Sequence, residues 1–201
     1  MEDVGLDPLG APGGGVGSVI AQQAKRNIEL KARCADLARA RRAAEESGAR
    51  RLGLLVQTDT YFRVPNGRLK LRETEGRADA ELIWYVRADS VEFRGSDYFV
   101  LPIPQPAETK AALTAALGVR GVVRKRRELW MWHGSTELAE VNVRIHLDEV
   151  EGLGSFIEFE AVISDEASEA LSLERLEKLS QALHIDRADR IAASYSDLLH
   201  L

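Results

Sequence analysis

The chain has 201 residues, 45% of them hydrophobic, enough for one domain with a sizeable core. Its formal net charge of −5 argues against a general nucleic-acid or anionic-membrane binder, since both attract a globally basic surface, but it leaves room for a local basic pocket. A single cysteine, Cys34, excludes an intrachain disulfide and a thiolate-rich metal site; with no apolar run of about 18 residues and no basic-then-apolar leader after Met1, the expectation is a soluble, cytoplasmic protein.

Residues 1–24 are rich in glycine and proline and read as a flexible tail, leaving 25–201 as the domain. The run Gly13-Gly14-Gly15-Val16-Gly17-Ser18 lacks the Gly-Lys-Ser/Thr of a phosphate loop, so it reads as a linker. Arg26–Arg33 alternates apolar and charged residues as a strand does, and Asp36 caps an alanine-rich helix that stops at Ser47-Gly48. Strand character returns in Leu52–Phe62. Pro65-Asn66-Gly67 marks a turn before two more alternating runs, Arg68–Glu73 and Glu81–Arg87. Pro106–Leu117 reads as a helix ended by Gly118, after which Gly121–Trp132, Leu138–Asp148 and Ser155–Ile163 alternate as strands. Leucines at helical spacing then predict two closing helices, Ser172–Leu183 and Asp186–Leu199.

Successive strand side chains point to opposite faces, so parity decides which charged residues are neighbours. Asn27, Glu29, Lys31 and Arg33 share a face opposite Ile28, Leu30 and Ala32. Arg68, Lys70 and Arg72 oppose Leu69 and Leu71; Arg144, His146 and Asp148 oppose Val143, Ile145 and Leu147; Glu158 and Glu160 oppose Ile157 and Phe159. Arg87 shares a face with Glu81 and Tyr85, and Lys125 with Arg127. Any one of these strands would be explained by a solvated face. The signs are sorted, however: Lys70, Arg72, Lys125 and Arg127 lie on middle strands, and Glu29, Glu158 and Glu160 on outer ones. The reading is an α+β fold, a closed or nearly closed antiparallel β-barrel with helices packed outside and a charged interior. Like charges so confined need neutralising. A polyphosphate with its metal does this, because Arg and Lys bond phosphate oxygens and spaced acids such as Glu158 and Glu160, with Glu29 to complete the set, suit the hard ions Mg²⁺ or Mn²⁺.

Other candidates have plainer readings. His146 beside Asp148 reads as a hydrogen-bonding neighbour before a general base. Tyr61 and Tyr85 read as strand packing, Trp130 and Trp132 as core or rim residues, and Cys34 as a buried structural thiol.

At these residues the chain resembles the CYTH domain, the triphosphate tunnel group of class IV adenylyl cyclases, thiamine triphosphatases and inorganic triphosphatases. The family's opening Glu-x-Glu-x-Lys appears here as Asn27-Ile28-Glu29-Leu30-Lys31, with Asn27 in place of the first acid. Gln57–Phe62, Arg68–Arg72, Tyr85–Arg87, Lys125–Arg127, Arg144–Val150 and Gly154–Glu160 follow as the remaining blocks in order, and Ser194–Leu199 resembles the terminal helix of cyclase-like members. The resemblance implies that Lys31, Lys70, Arg72, Arg87, Lys125, Arg127 and Arg144 hold phosphates, with Arg33 and Arg68 outside that set. It implies that Glu29, Asp148, Glu158 and Glu160 hold Mg²⁺ or Mn²⁺, and that Glu29, Lys31 and Arg127 are catalytic. The implied activity is metal-dependent hydrolysis of inorganic, thiamine or nucleoside triphosphate. An adenylyl cyclase making cyclic AMP from ATP is the alternative, and the lost acid at Asn27 adds a third, a non-catalytic polyphosphate or nucleotide sensor. The expected partner is a triphosphate-containing small molecule, with homodimer formation left open.

Overall fold

The computed structural model describes residues 24–135, 140–163 and 166–200. All but the last residue of the expected tail lies outside the described residues, as do positions 138 and 139 of the expected sixth strand. Strands β1 (Lys25–Arg33), β2 (Arg50–Phe62), β3 (Arg68–Thr74), β4 (Ala80–Arg87), β5 (Arg94–Ile103), β6 (Val119–Ser135), β7 (Glu140–Val150) and β8 (Gly154–Ile163) close into an antiparallel barrel in the order β1-β5-β4-β3-β2-β6-β7-β8. The helices are α1 (Leu37–Glu46), α2 (Pro106–Leu117), α3 (Glu166–Ala182) and α4 (Tyr195–Leu198). No helix among the described residues is long and apolar enough to cross a membrane.

Alternation along the strands sets the two surfaces of the barrel. Outward residues Ile28, Leu30, Ala32, Val143, Ile145, Leu147, Ile157 and Phe159 are buried against Ala40, Ala43 and Ala44 of α1 and Leu176 and Leu179 of α3. The small face of α1 lets the helix lie close on the sheet; its start is fixed by Asp36, whose Oδ1 accepts from the Arg39 amide at 2.9 Å. Trp130 joins this layer, and the Trp132 indole donates to the Ser47 carbonyl at 3.0 Å. A smaller layer packs α2 residues Leu113 and Leu117 over Phe62 and Leu71. Most of the apolar core therefore lies outside the barrel. Inside, one end is floored by Tyr61, Val123, Val150, Phe156 and Tyr195. The β3–β4 side is closed by the Pro65-Asn66-Gly67 turn, where Gly67 has φ of +69° and a Cβ would lie 2.7 Å from the Tyr85 carbonyl oxygen, so only glycine fits.

Three elements differ from the sequence pattern. Strand β5 carries no apolar–polar alternation along its whole length: its inner face runs Arg94, Ser96, Tyr98, Val100, and its outer face runs Gly95, Asp97, Phe99, Leu101, Ile103, apolar only in its second half. The expected closing helix over Asp186–Leu199 is instead a 3₁₀ turn at Arg187–Asp189, an extended stretch and the short α4. The extended stretch is tied to β1 by the Ile191 amide donating to the Lys31 carbonyl at 2.8 Å, and Ser194 restarts the helix through a capping box with Asp197. Helix α3 begins at Glu166, so Ser172, the expected first residue of that helix, is buried in the helix interior.

Candidate functional site

Barrel closure brings β8 and β1 together as an acidic wall, with Glu29 in register with Glu160 and Lys31 with Glu158. Strands β3, β2 and β6 form a basic wall, because Asp59 of β2 is in register with Arg72 of β3 and Gln57 with Lys125 of β6. Between them lies a cavity of about 190 Å³ lined by Glu29, Lys31, Lys70, Arg72, Arg87, Lys125, Arg127, Arg144, Glu158 and Glu160 together with Asn27, Asp59 and Tyr195. Every expected phosphate-binding residue therefore faces one space, and so do three of the four expected metal ligands.

The basic wall is organised by one residue the sequence reading passed over as a site. Asp59, 1% exposed, accepts from Lys70 at 3.0 Å, from Arg72 at 2.8 and 3.0 Å and from Lys125 at 2.7 Å. Burial opposes its ionisation, but Arg72, Lys125 and Lys70 overcome it and hold the carboxyl well below the usual range. Three cations on one carboxylate leave positive charge in surplus. Burial, and the repulsion of Arg72, Arg127 and Lys70, push the Lys125 ammonium well below its ordinary value despite Asp59. An anion entering the cavity relieves that strain.

On the acidic wall each carboxylate has its own arrangement. Glu29 accepts from Arg94 at 3.0 Å and lies 3.1 Å from Arg87. Arg94, on the unanticipated β5, is anchored by the carbonyls of Ser90 and Ile191. Glu158 accepts from Lys31 at 3.1 Å through Oε1 and from Arg127 at 2.8 Å through Oε2. Burial raises its pKa, but Lys31, then the neighbouring His146 and Arg127, keep it well below the usual carboxylate range. Glu160 is the least engaged, its nearest cation being Arg144 at 3.6 Å. His146 Nδ1 lies 3.8 Å from Glu158 and 4.0 Å from Glu160.

Asp148 stands apart. Its carboxylate is fully buried behind the cavity lining and takes both Nε and Nη2 of Arg127, at 2.7 and 2.6 Å, and the Tyr195 hydroxyl at 2.8 Å. Against the cost of burial, Arg127 keeps it ionised. Both its oxygens are committed to holding Arg127 and Tyr195 in place. Lys31 in turn sits 4.2 Å over the Tyr195 ring. Of the other residues singled out, Arg68 pairs with Asp197 and Asp89 at the end of the barrel, Arg33 lies over Phe156, and Cys34 is half-buried with a thiol pushed up by burial.

The residues fit a divalent cation. Oxygens of Glu158 and Glu160 and a nitrogen of His146 lie within 4.8 Å of one another, and Asn27 Oδ1, buried on β1 in the lining of the same cavity, has no hydrogen-bond partner among the described residues. Carboxylate oxygens are the donors Mg²⁺ and Mn²⁺ take. The sequence offered signals for some of what it did not yield: Asp59 shares parity with Gln57 and Tyr61 inside the Gln57–Phe62 block, and Ser194 with Asp197 has cap spacing. Arg94 carried none.

The sequence pattern of the CYTH domain matches residues 25–195. No curated protein sequence matches the chain. Among solved structures, the PH1012 protein of Pyrococcus horikoshii superposes with a TM-score of 0.68 at 23% identity, covering 86% of this chain and 98% of its own. A Vibrio parahaemolyticus protein provisionally described as an adenylate cyclase gives 0.68 at 22% identity, over 89% of this chain and 100% of its own. A Hippeastrum protein, HpAC1, provisionally an adenylyl cyclase and described as having a dominant triphosphatase activity, gives 0.58 at 14% identity, over 88% of this chain and 95% of its own. These likenesses are of fold.

Proposed function

The chain belongs to the CYTH domain family, and from that premise we propose that it is a metal-dependent triphosphatase acting on a compact triphosphate held inside the barrel. The observation that carries this reading is the surplus of buried positive charge around Asp59, facing an acidic wall across one cavity. The cavity of about 190 Å³ is smaller than the roughly 300–1,000 Å³ that encloses a drug-sized ligand, which favours inorganic triphosphate, or a phosphate chain whose organic part stays outside.

In this reading Lys70, Arg72 and Lys125 bind the phosphate chain, and Lys31, Arg87 and Arg144 take its remaining oxygens. Arg127, fixed in orientation by Asp148, stabilises charge on the equatorial oxygens as water attacks the terminal phosphorus. The bridging P–O bond breaks, giving phosphate and diphosphate. Glu158, Glu160 and Glu29 would hold the divalent ion, which when bound polarises the phosphoryl group. Asp148 acts through Arg127.

The test is to incubate the purified protein with inorganic triphosphate, ATP and thiamine triphosphate, each with Mg²⁺ or Mn²⁺, following phosphate and cyclic AMP together. Phosphate release that is fastest from inorganic triphosphate and falls about 100-fold or more in Arg127→Met is the expected result, the scale of losing one positioned donor to the transition state. Cyclic AMP as the main product from ATP overturns it in favour of a cyclase, and tight binding without turnover in favour of a sensor.

A further inference from the structure

We propose that His146 is a nitrogen ligand of the tunnel's divalent ion, completing a donor set with Glu158 and Glu160 where Asn27 offers only a neutral amide, and that it biases the site away from Mg²⁺ and toward Mn²⁺. The proposal rests on the reading of the tunnel as a metal-dependent triphosphate site.

The strands place the three residues together by register. His146 of β7 is opposite Glu158 of β8, and Glu160, two residues on, points to the same interior face. His146 is 3% exposed, and its Nδ1 is a buried polar atom with no hydrogen-bond partner among the described residues. Buried polar atoms are almost always satisfied, so one turned toward two carboxylates marks a missing partner. The partner expected from sequence, Asp148, is fully occupied by Arg127 and Tyr195.

The separations also suit a shared ion. At 3.8 and 4.0 Å the Nδ1-to-carboxylate distances exceed those of a hydrogen bond. Two ligands bound to one ion at about 2.0–2.2 Å stand roughly 3 Å apart when adjacent and roughly 4 Å when opposite, which brackets both. Among the described residues Glu160 has no hydrogen-bonded cation to displace, and Glu158 keeps lone pairs beyond those that Lys31 and Arg127 use.

Asn27 supplies the complementary half of the case. In β1 it stands two residues before Glu29 on the interior face, where it lines the cavity with an unpartnered Oδ1. A neutral amide oxygen binds a hard cation more weakly than a carboxylate. An imidazole restores donor strength, but of a kind suited to first-row transition ions and poorly to Mg²⁺, and Mn²⁺ is the ion of that row that also favours carboxylates.

The experiment titrates the full-length protein with MnCl₂, first alone and then with inorganic triphosphate, and reads pulsed electron paramagnetic resonance of the bound ion. Coupling to an imidazole ¹⁴N in the wild type, absent from both His146→Gln and His146→Asn, is the expected result. It should accompany a fall of 10-fold or more in Mn²⁺ affinity with less than a 3-fold change for Mg²⁺. Bound Mn²⁺ without nitrogen coupling in the wild type overturns the ligand role and leaves the triphosphatase reading standing. Failure of the protein to bind Mn²⁺ even with triphosphate overturns both. The wild-type spectrum decides the matter even where a variant does not fold.

Discussion

Replacing Asp59 by Asn isolates the role of the one carboxylate on the basic wall. The substitution keeps the shape of the side chain but removes the charge that Lys70, Arg72 and Lys125 share at 2.7 to 3.0 Å. At an effective dielectric constant of 20, each such pair has a gross attraction of about 5–6 kcal/mol. Relief of the desolvation of Asp59 offsets much of this, and mutual repulsion of the three cations adds to it. Removing one partner of a buried ionic cluster costs about 3–5 kcal/mol overall, and that is the expected loss in Asp59→Asn. Urea unfolding followed by tryptophan fluorescence measures it. Saturating inorganic triphosphate should then shrink the gap between variant and wild type to less than half, because phosphate oxygens replace the lost anion. An unchanged unfolding midpoint refutes the clamp. A full loss that triphosphate does not reduce refutes the idea that these cations face the phosphate.

Two further outcomes follow from the ion pairs. Because Glu29 and Glu158 are spent on Arg87, Arg94, Lys31 and Arg127, metal alone strands the cations and triphosphate alone strands the carboxylates. The two should therefore bind with positive coupling of about 1–3 kcal/mol, so that calorimetry finds triphosphate at least 5-fold tighter with Mg²⁺ or Mn²⁺ present, and equal affinities exclude the exchange. At the barrel's end, Asp197 is drawn down to about 2 by hydrogen bonds from Ser194 and by Arg68 and Arg120, against the effect of burial. A depressed carboxylate stabilises above its unfolded pKa and loses that contribution as pH falls through its folded one. Wild type should thus exceed Asp197→Asn by about 1–2 kcal/mol near neutrality, after discounting for the 24% exposure of the side chain, with the difference vanishing between about pH 4 and pH 2. A difference that persists at pH 2 would contradict the assignment.

What the sequence disclosed and what it withheld divide along physical lines. Parity is local, so the facing of Glu29, Lys31, Lys70, Lys125 and Glu158 was readable from period-2 alternation, and the sorting of their signs pointed to a charged interior. Register is not local. That Asp59 stands opposite Arg72 and next to Lys125 depends on how β2 pairs with β3 and β6, and nothing near residue 59 encodes it. The same holds for Asp148, whose parity is that of a site residue but whose oxygens are consumed by Arg127 across the β6–β7 ladder. Strand β5 failed for a different reason. Its outer face is apolar only from Phe99 onward and its inner face carries a single charge, so Arg94, the second partner of Glu29, came without a signal. The C-terminal stretch offered leucine and isoleucine at helical spacing, yet Ile191 and Arg190 serve β1 as a strand neighbour does, and tertiary pairing overrode the local preference.

A polar interior of this kind is costly, because a buried ion pair seldom repays its desolvation and an apolar replacement of equal volume is often as stable or more so. The fold tolerates it by placing its main apolar layer on the other surface of the same strands. Ile28, Leu30 and Ala32 alternate with Asn27, Glu29 and Lys31, and it is the first set that packs on α1 and α3. Stability is thereby drawn from one face of β1, β7 and β8 and function from the other, so each strand carries both without either face needing to compromise. The floor of Tyr61, Val123, Val150, Phe156 and Tyr195 meets the charged zone at Tyr195, whose ring packs against Phe156 and whose hydroxyl reaches Asp148. One side chain from the C-terminal segment thus joins the apolar floor to the carboxylate that orients Arg127, which ties the aim of that guanidinium to the docking of the last helix.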